Sequence, residues 1–566
     1  MKQQYDVVIL GGGLAGLTLS LQLKKHRPDI SILILERRET EAPLAAHKVG
    51  ESTVELASHY LREVLDLKGY LEEHELPKHG LRFFFRSNNK EDITSRVELG
   101  PRLRLPVPSH QLDRGTLENY MAKLTQQKGT EYILGAKVSG VNFNTDSLHE
   151  VLYVKDGVEQ SVKCRWVADA SGRASILKRK LQFQKPMEHH INTAWWRLKG
   201  IIDIDDWTDK EEWKGYLEPR LRYLSTVHFL DKGYWLWVIP LGTKNTSIGI
   251  VADPDIHPFD TFNTYEKAVE WMKVNEPLAY KMLEPLGRGE GLLDFKILKH
   301  FAHHTKRMYS SDRWAVTGES GAFLDPFYSP GSDLISLNNT WLSDLILRDL
   351  AGEDIALRAQ VYEQAHLAWV DSFLPIYQEK YKLMGSVQIM VMKIFWDWAV
   401  YWAIPCVLFV NDAFTDLKLL RELFATQNGL GKKFAELHKR MQDFFLEWLP
   451  YENCVFENRY IDPFDLALLR EFQSAITIEW ENKDLLKQVA VNLNKLEQMA
   501  VAIFRLVSAQ VKGTSPDMKV NPYTITLNGE VDTTSENAII PSEMIQKDVE
   551  LMWFYEKKEL AVGSGQ

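Results

Sequence analysis

The period of apolar and polar positions changes three times along the chain. The first 40 residues run as YDVVIL, GGGLAG, LTLSLQLKK and ISILILE. That is an apolar strand, a glycine turn, a helix with one apolar face and a second apolar strand. From about Glu131 the pattern breaks into short strands with turn signals, EYILGAKVSGVNF, EVLYVKDG and QSVKCRWVADASG. Strand-like alternation continues from about 181 to 309, as in YWLWVIPLG and TSIGIVAD, and predicts a second, largely antiparallel sheet. RWAVTGESGAF returns to strand-then-helix. From about 341 helical periods dominate, as in TWLSDLILRDLAG and KKFAELHKRMQDFFLEWL. The segment 513–538 reads as irregular and the final AVGSGQ as frayed. The expected fold is α/β, with a discontinuous first domain (1–180 and 310–345), a β-sheet domain (181–309) and a mainly helical C-terminal lobe (346–566).

One apolar stretch, IFWDWAVYWAIPCVLFV, spans Ile394 to Val410 and contains Asp397 and Pro405. It falls short of the roughly 20 residues that cross a bilayer. A buried helix is the preferred reading and a membrane-surface helix the alternative, which leaves peripheral membrane contact open.

With 566 residues the chain can bury a large core. A net charge of -10 without a basic tract argues against nucleic acid as main partner. Cys164, Cys406 and Cys454 form no CxxC pair and fit neither a disulfide framework nor a zinc site, so a reducing cytoplasm is the default. MKQQYD leads directly into the first strand, with no signal peptide before it. His189 and His190 lack a third ligand at useful spacing and read as polar strand-edge residues; no metal site is expected.

The glycine turn carries the first chemistry. Gly11 permits the tight turn, Gly13 lets backbone approach a pyrophosphate, and Gly16 lets helix and strand pack closely. Leu14 and Ala15 open the helix whose N-terminus favours phosphate charge. Glu36 closes the second strand at the spacing of a ribose-binding carboxylate, with Arg37 beside it. This unit alone does not separate FAD from NAD. No second such unit occurs, since GRGEG at 287–291 has the wrong spacing and no strand before it.

Three segments resemble the aromatic hydroxylases and their relatives. VADASGR, with Asp169, is similar to their DxxG-type segment. WAVTGESGAFLDPF is similar to their second flavin-contacting segment, with Gly318-Glu319 in place of Gly-Asp. QLDRG places Arg114 where an arginine reaches the flavin. The resemblance implies FAD on a GR2-type Rossmann domain, with the antiparallel sheet lying over it. WLWVIP (Trp235, Trp237, Pro240), FLDPFYSPG, VGEST (Glu51, with Ser52 expected at the cofactor) and PKHGLRF (Lys78) narrow the resemblance to the flavin-dependent halogenases. It covers about residues 5 to 345.

That resemblance implies a reaction. FADH2 supplied by a separate NAD(P)H-dependent flavin reductase, or by transient nicotinamide binding, reacts with oxygen to a C4a-hydroperoxide. Chloride or bromide attacks it, and the hypohalous acid travels to Lys78, which passes electrophilic halogen to substrate. Glu51 and Tyr328 are further catalytic candidates. Relatives bind halide at the position of Tyr328 to Ser332. Pro330 has no N–H, so Gly331 and Ser332 amides with the Ser329 hydroxyl are the candidates here. Halogenases of free tryptophan carry glutamate where Tyr328 stands, and a phenol is a poor base but a serviceable hydrogen-bond donor. The expected substrate is therefore phenolic, pyrrolic or a carrier-protein-bound acyl group, as in natural product biosynthesis. Asp333 tunes the site or caps a helix. Trp235 and Trp237 share one side of a strand near the flavin and also form core. A monooxygenase or dehydrogenase of the same superfamily is the runner-up, and a flavin-bearing lipid- or pigment-binding protein the third reading.

Overall fold

The computed structural model describes residues 2–44, 48–145, 147–424, 429–452, 454–515 and 517–555; the final AVGSGQ lies outside them. The apolar run Gln4–Leu10 is the middle of a sheet. It pairs in parallel with Ile32–Glu36 on one side and Val158–Asp169 on the other. Glu131–Leu134 and Trp314–Val316 extend the parallel set outward. Val7 to Leu10 are fully buried, which explains why this strand shows no alternation. Two antiparallel strands, His149–Lys155 and Lys137–Asn142, hang from Val158–Asp169.

The glycine turn closes as the motif requires. Gly11 has φ 112, and a Cβ there would sit 2.5 Å from the Ala170 carbonyl oxygen. The helix Leu14–His26 follows and packs against the long helix Pro330–Leu350.

The second sheet is built around Asn192–Lys199, Thr226–Asp231, Tyr234–Pro240, Asn245–Ala252 and Leu292–Leu298. It also takes three strands from outside 181–309. Leu81–Phe84 pairs in parallel with Thr226–Asp231, Val97–Leu99 follows, and Arg459–Ile461 from the helical lobe pairs in parallel with Val97–Leu99. The largely antiparallel expectation thus holds for the centre and not for this edge, where the partners come from distant chain. Trp235 and Trp237 face the large core shared by the parallel sheet and the helical lobe, while Leu236 and Val238 face the opposite cluster.

The apolar stretch is a buried helix. Val387–Tyr401 runs through a π-helical turn, Trp402–Cys406, into Val407–Val410. Pro405 lies in that turn, where its missing N–H fits the widened hydrogen bonding. By length and hydropathy the segment could cross a membrane, but 89% of its 18-residue apolar window is buried within the fold. Its apolar faces are therefore spent on the core. Beyond the 31-residue helix Asn482–Lys512, the described residues 513–515 and 517–538 are irregular, as expected. They are nevertheless anchored, with Val520, Ile525 and Leu527 buried.

Candidate functional site

The dinucleotide cradle forms at the end of Gln4–Leu10. Gly13 caps the helix Leu14–His26 without a side-chain hydrogen bond, and the first helical turn carries no acidic residue. Such an N-terminus presents amide protons and positive dipole to an anion. The glycines differ in a telling way. A Cβ on Gly11 or Gly16 would run into backbone oxygens, whereas one on Gly13 would meet only the flexible Lys48 Nζ at 3.2 Å. The protein's own packing requires the first two to be small. Gly13 is small beside open space, as a position kept clear for a bound pyrophosphate would be. The cradle fits FAD.

Glu36 turns back onto this loop, accepting from Gly12 N at 2.7 Å and Arg38 N at 2.9 Å. Arg38 pairs with Glu36 at 3.2 Å and donates to the Gly12 carbonyl at 3.1 Å. Arg37, the expected neighbour of the cofactor, is exposed. Side chains alternate in extended chain, so Glu36 and Arg38 share a face that Arg37 leaves. Gly318, with φ 61, lies against Ala15, joining the first and last motifs in space, with Glu319 half-buried beside it. Asp169 is fastened to protein: it accepts from Ser171 N, Leu177 N and Ser320 Oγ. Its carboxylate orders the loop rather than reaching out. Arg114 begins the helix Arg114–Gln127 and is buried, donating to Val49 O, Gly50 O and Glu118. It ties the VGEST loop to that helix.

A second centre forms around Lys78, at the end of the short strand Leu76–Lys78. Its side chain is buried, with 5% of the residue exposed, and Nζ donates to Ser52 Oγ at 2.8 Å and Thr53 O at 2.7 Å. It lines a cavity of about 80 Å³. Burial pushes the Lys78 pKa down to about 7, against the opposing pull of Glu55 and Asp333. Ser52, expected at the cofactor, holds Lys78 and Thr226 instead. Glu51 is taken up by Arg197 at 2.5 Å, which also binds Asp294 at 2.7 Å. Its carboxylate lies away from the Lys78 cavity, because the next residue's side chain turns toward Lys78 and its own turns to the sheet.

The same cavity is walled by Leu324, Tyr328, Pro330 and Asp333, and on its other side by residues of the helical lobe such as Trp369, Asp397 and Trp398. Tyr328 and Ser329 both have left-handed backbone, φ 71 and 62, a strain of about 1–3 kcal/mol each that the surrounding packing sustains. They deliver the chain to Pro330 at the first position of its helix, so the amides of Gly331 and Ser332 stand at a helix N-terminus. Ser332 Oγ is buried without a hydrogen-bond partner among the described residues. An anion such as halide would satisfy it. Asp333 does not cap this helix; Ser329 occupies that position. Asp333 accepts from Ala57 N at 2.9 Å and Tyr401 OH at 2.7 Å, and burial lifts its pKa to about 7.

Sequence reasoning missed Glu55, which accepts from Trp402 Nε1 at 2.9 Å and Gln473 Nε2 at 2.5 Å. It lies two residues beyond VGEST, and its donors are more than 340 positions away. His189 is also corrected. It is buried, its Nε2 2.8 Å from Asp325, which accepts from Tyr381 OH at the same distance. Tyr381 in turn receives Trp235 Nε1 at 3.0 Å. This chain of bonds links the WLWVIP strand to FLDPFYSPG. Trp237 Nε1 donates to Ser247, and Pro240 ends the strand.

A family profile described as an FAD binding domain matches residues 4–246. The chain is 26% identical to the flavin-dependent halogenase chlA of Dictyostelium discoideum over 79% of its own length and 80% of that protein. It is 23% identical to a 1H-pyrrole-2-carbonyl-[peptidyl-carrier protein] brominase of Pseudoalteromonas luteoviolacea, covering 62% of this chain and 79% of the other. In structure it resembles halogenase PltM in complex with phloroglucinol and FAD, with a TM-score of 0.63, 16% identity, and coverage of 86% and 96%.

Proposed function

We propose, for a chain that is a member of the flavin-dependent halogenase family and binds FAD, that it halogenates an organic substrate through Lys78. One observation carries the reading: a lysine buried in a cavity that is also walled by Tyr328 and Pro330, the first and third residues of the halide-candidate segment Tyr328 to Ser332. Gly11, Gly13 and Gly16 with the Leu14 and Ala15 amides would hold the pyrophosphate, Glu36 and Arg38 the ribose side, and Gly318 and Glu319 the far end. Arg114 steadies the adjoining loop. When bound and reduced, the flavin supplies hypohalous acid from oxygen and halide.

The chain's own residues do the rest. Ser329, Gly331 and Ser332 hold halide by hydroxyl and amide donors. Lys78 as ammonium has three protons, of which Ser52 and Thr53 take two. The third faces the cavity and donates to the hypohalous oxygen. Halogen passes to an aromatic carbon, oxygen leaves as water, and the ring loses a proton. Aromatic walls keep the oxidant from bulk water.

Relatives acting on pyrrole-2-carbonyl groups held by a peptidyl carrier protein support a phenolic or pyrrolic substrate, free or carrier-bound, over free tryptophan. A separate flavin reductase completes the system. The test supplies such a reductase, oxygen and chloride or bromide with phenolic and carrier-bound substrates. Halogen isotope patterns in the product support the reading; hydroxylated product formed without halide turns it toward a monooxygenase.

A pH dependence follows. The ammonium form of Lys78 is lost as pH rises through about 7, so halogenation falls on the alkaline side. Glu55 opposes that loss, and Glu55→Gln moves the falling limb to lower pH. Halogenation rate against pH, with oxygen consumption as control, checks both; a limb in the same place in the variant removes Glu55 from this role.

A further inference from the structure

Tyr328 has a single proton, and it is spent inside the protein. Its hydroxyl donates to Asp397 Oδ2 at 2.9 Å. The same carboxylate receives Lys393 Nζ at 2.5 Å and Gln442 Nε2 at 2.7 Å. Asp397, Lys393 and Gln442 are each at most 3% exposed, so no solvent competes for these bonds. Three donors converging on one buried carboxylate identify it as an acceptor alone. The phenolic proton is thus directed into the helical lobe, and Tyr328, which lines the cavity, presents lone pairs to it. The phenol is an acceptor here, not the donor that its chemistry alone would allow.

The rest of the wall sharpens this polarity. Lys78 is the one cation among the lining residues, with Glu55, Asp333 and Asp397 as buried acids beside it. Glu55 and Asp333 are already engaged by Trp402, Gln473, Ala57 and Tyr401. The remaining surface is mostly apolar and aromatic, as at Trp369, Phe373 and Trp398, with Ser109 and Tyr377 adding hydroxyls. A substrate bringing its own carboxylate would enter among three acids, with the Lys78 ammonium as the one lining cation to offset them. A neutral ring carrying an O–H would find an acceptor that otherwise stays unpaired.

Resting on the halogenase reading, we infer that Tyr328, oriented by Asp397 as a positioning residue, selects uncharged aromatic substrates bearing a hydrogen-bond donor on the ring, a phenolic hydroxyl foremost. Methylating that hydroxyl removes the donor and leaves ring activation nearly unchanged. The loss of affinity from an unpaired buried acceptor is about ten- to a hundredfold.

The experiment uses the flavin-loaded protein and two probes one methyl apart, phloroglucinol dimethyl ether and phloroglucinol trimethyl ether. Calorimetric titration gives both dissociation constants. The native chain is expected to bind the dimethyl ether at least about tenfold more tightly. In Tyr328→Phe the preference is expected to fall within about twofold, with affinity for the trimethyl ether kept. In Asp397→Asn the amide can donate to the Tyr328 oxygen, freeing the phenolic proton for the cavity, and the preference narrows again. Equal binding of the two probes by the native chain, or an unchanged ratio in Tyr328→Phe, overturns the inference. Mass spectrometry of the same mixtures with reduced flavin, oxygen and bromide separates the two claims. Equal halogenation of both probes overturns the donor selection and leaves the halogenase standing. Discrimination in binding with no halide-dependent product overturns the halogenase reading and supports the recognition by Tyr328.

Discussion

Lys78→Ala is expected to lower halogenated product by at least about a thousandfold while the protein stays yellow and continues to consume oxygen. The argument is one of charge and position. Among the residues lining the cavity Lys78 alone is cationic, and its ammonium has a proton left for a guest after binding Ser52 and Thr53. Truncation takes away the donor that lets the hypohalous oxygen depart as water. The cofactor cradle is unaffected, since Gly11 to Gly16, Glu36 and Arg38 belong to other elements. Ser52 keeps Thr226 as a partner, which limits the damage to packing. Lys78→Met retains the aliphatic stem and should be equally inactive, so a packing defect can be told from lost chemistry. Product formation at a tenth of the native rate or more in either variant would remove Lys78 from the mechanism.

The second large effect concerns the cofactor itself. Gly13→Val should yield a folded but colourless protein, with FAD affinity down by at least about a hundredfold. Gly13 has φ -90 and ψ -171, extended backbone that valine adopts without strain. Its Cβ would meet only the movable Lys48 Nζ. The same change at Gly11 or Gly16 would strike backbone and is expected to harm folding, so it says little about flavin. A Gly13→Val protein purified with full flavin absorbance would show that the pyrophosphate lies elsewhere; one that fails to fold would show that the space beside Gly13 is structural.

The strand–turn–helix–strand opening was legible because each of its signals is local. Glycine spacing, an unbroken apolar run and a carboxylate at the next strand's end sit within 36 residues. Lys78 and the Tyr328 to Ser332 segment could be picked out by resemblance to a family pattern. Their roles could not be refined that way. Arg37 was named beside Glu36 and Arg38 went unnoticed, because sequence distance does not say which face of an extended chain meets the loop. Ser52 was expected at the cofactor and instead anchors Lys78, a contact set by how two loops cross. The helical lobe was the least legible part. Asp397 could be flagged as a charge in an apolar stretch, yet its partner Tyr328 lies 69 positions away.

By itself the sequence determined where backbone must bend closely, which strands are buried on both faces and which short motifs carry redox chemistry, because each depends on neighbours within a few residues. Only the tertiary structure decided what surrounds Lys78. Its low dielectric, its two nearby acids and the direction of the Tyr328 proton come from side chains tens to hundreds of positions apart, and proton affinity and hydrogen-bond direction are properties of such three-dimensional company rather than of any one residue.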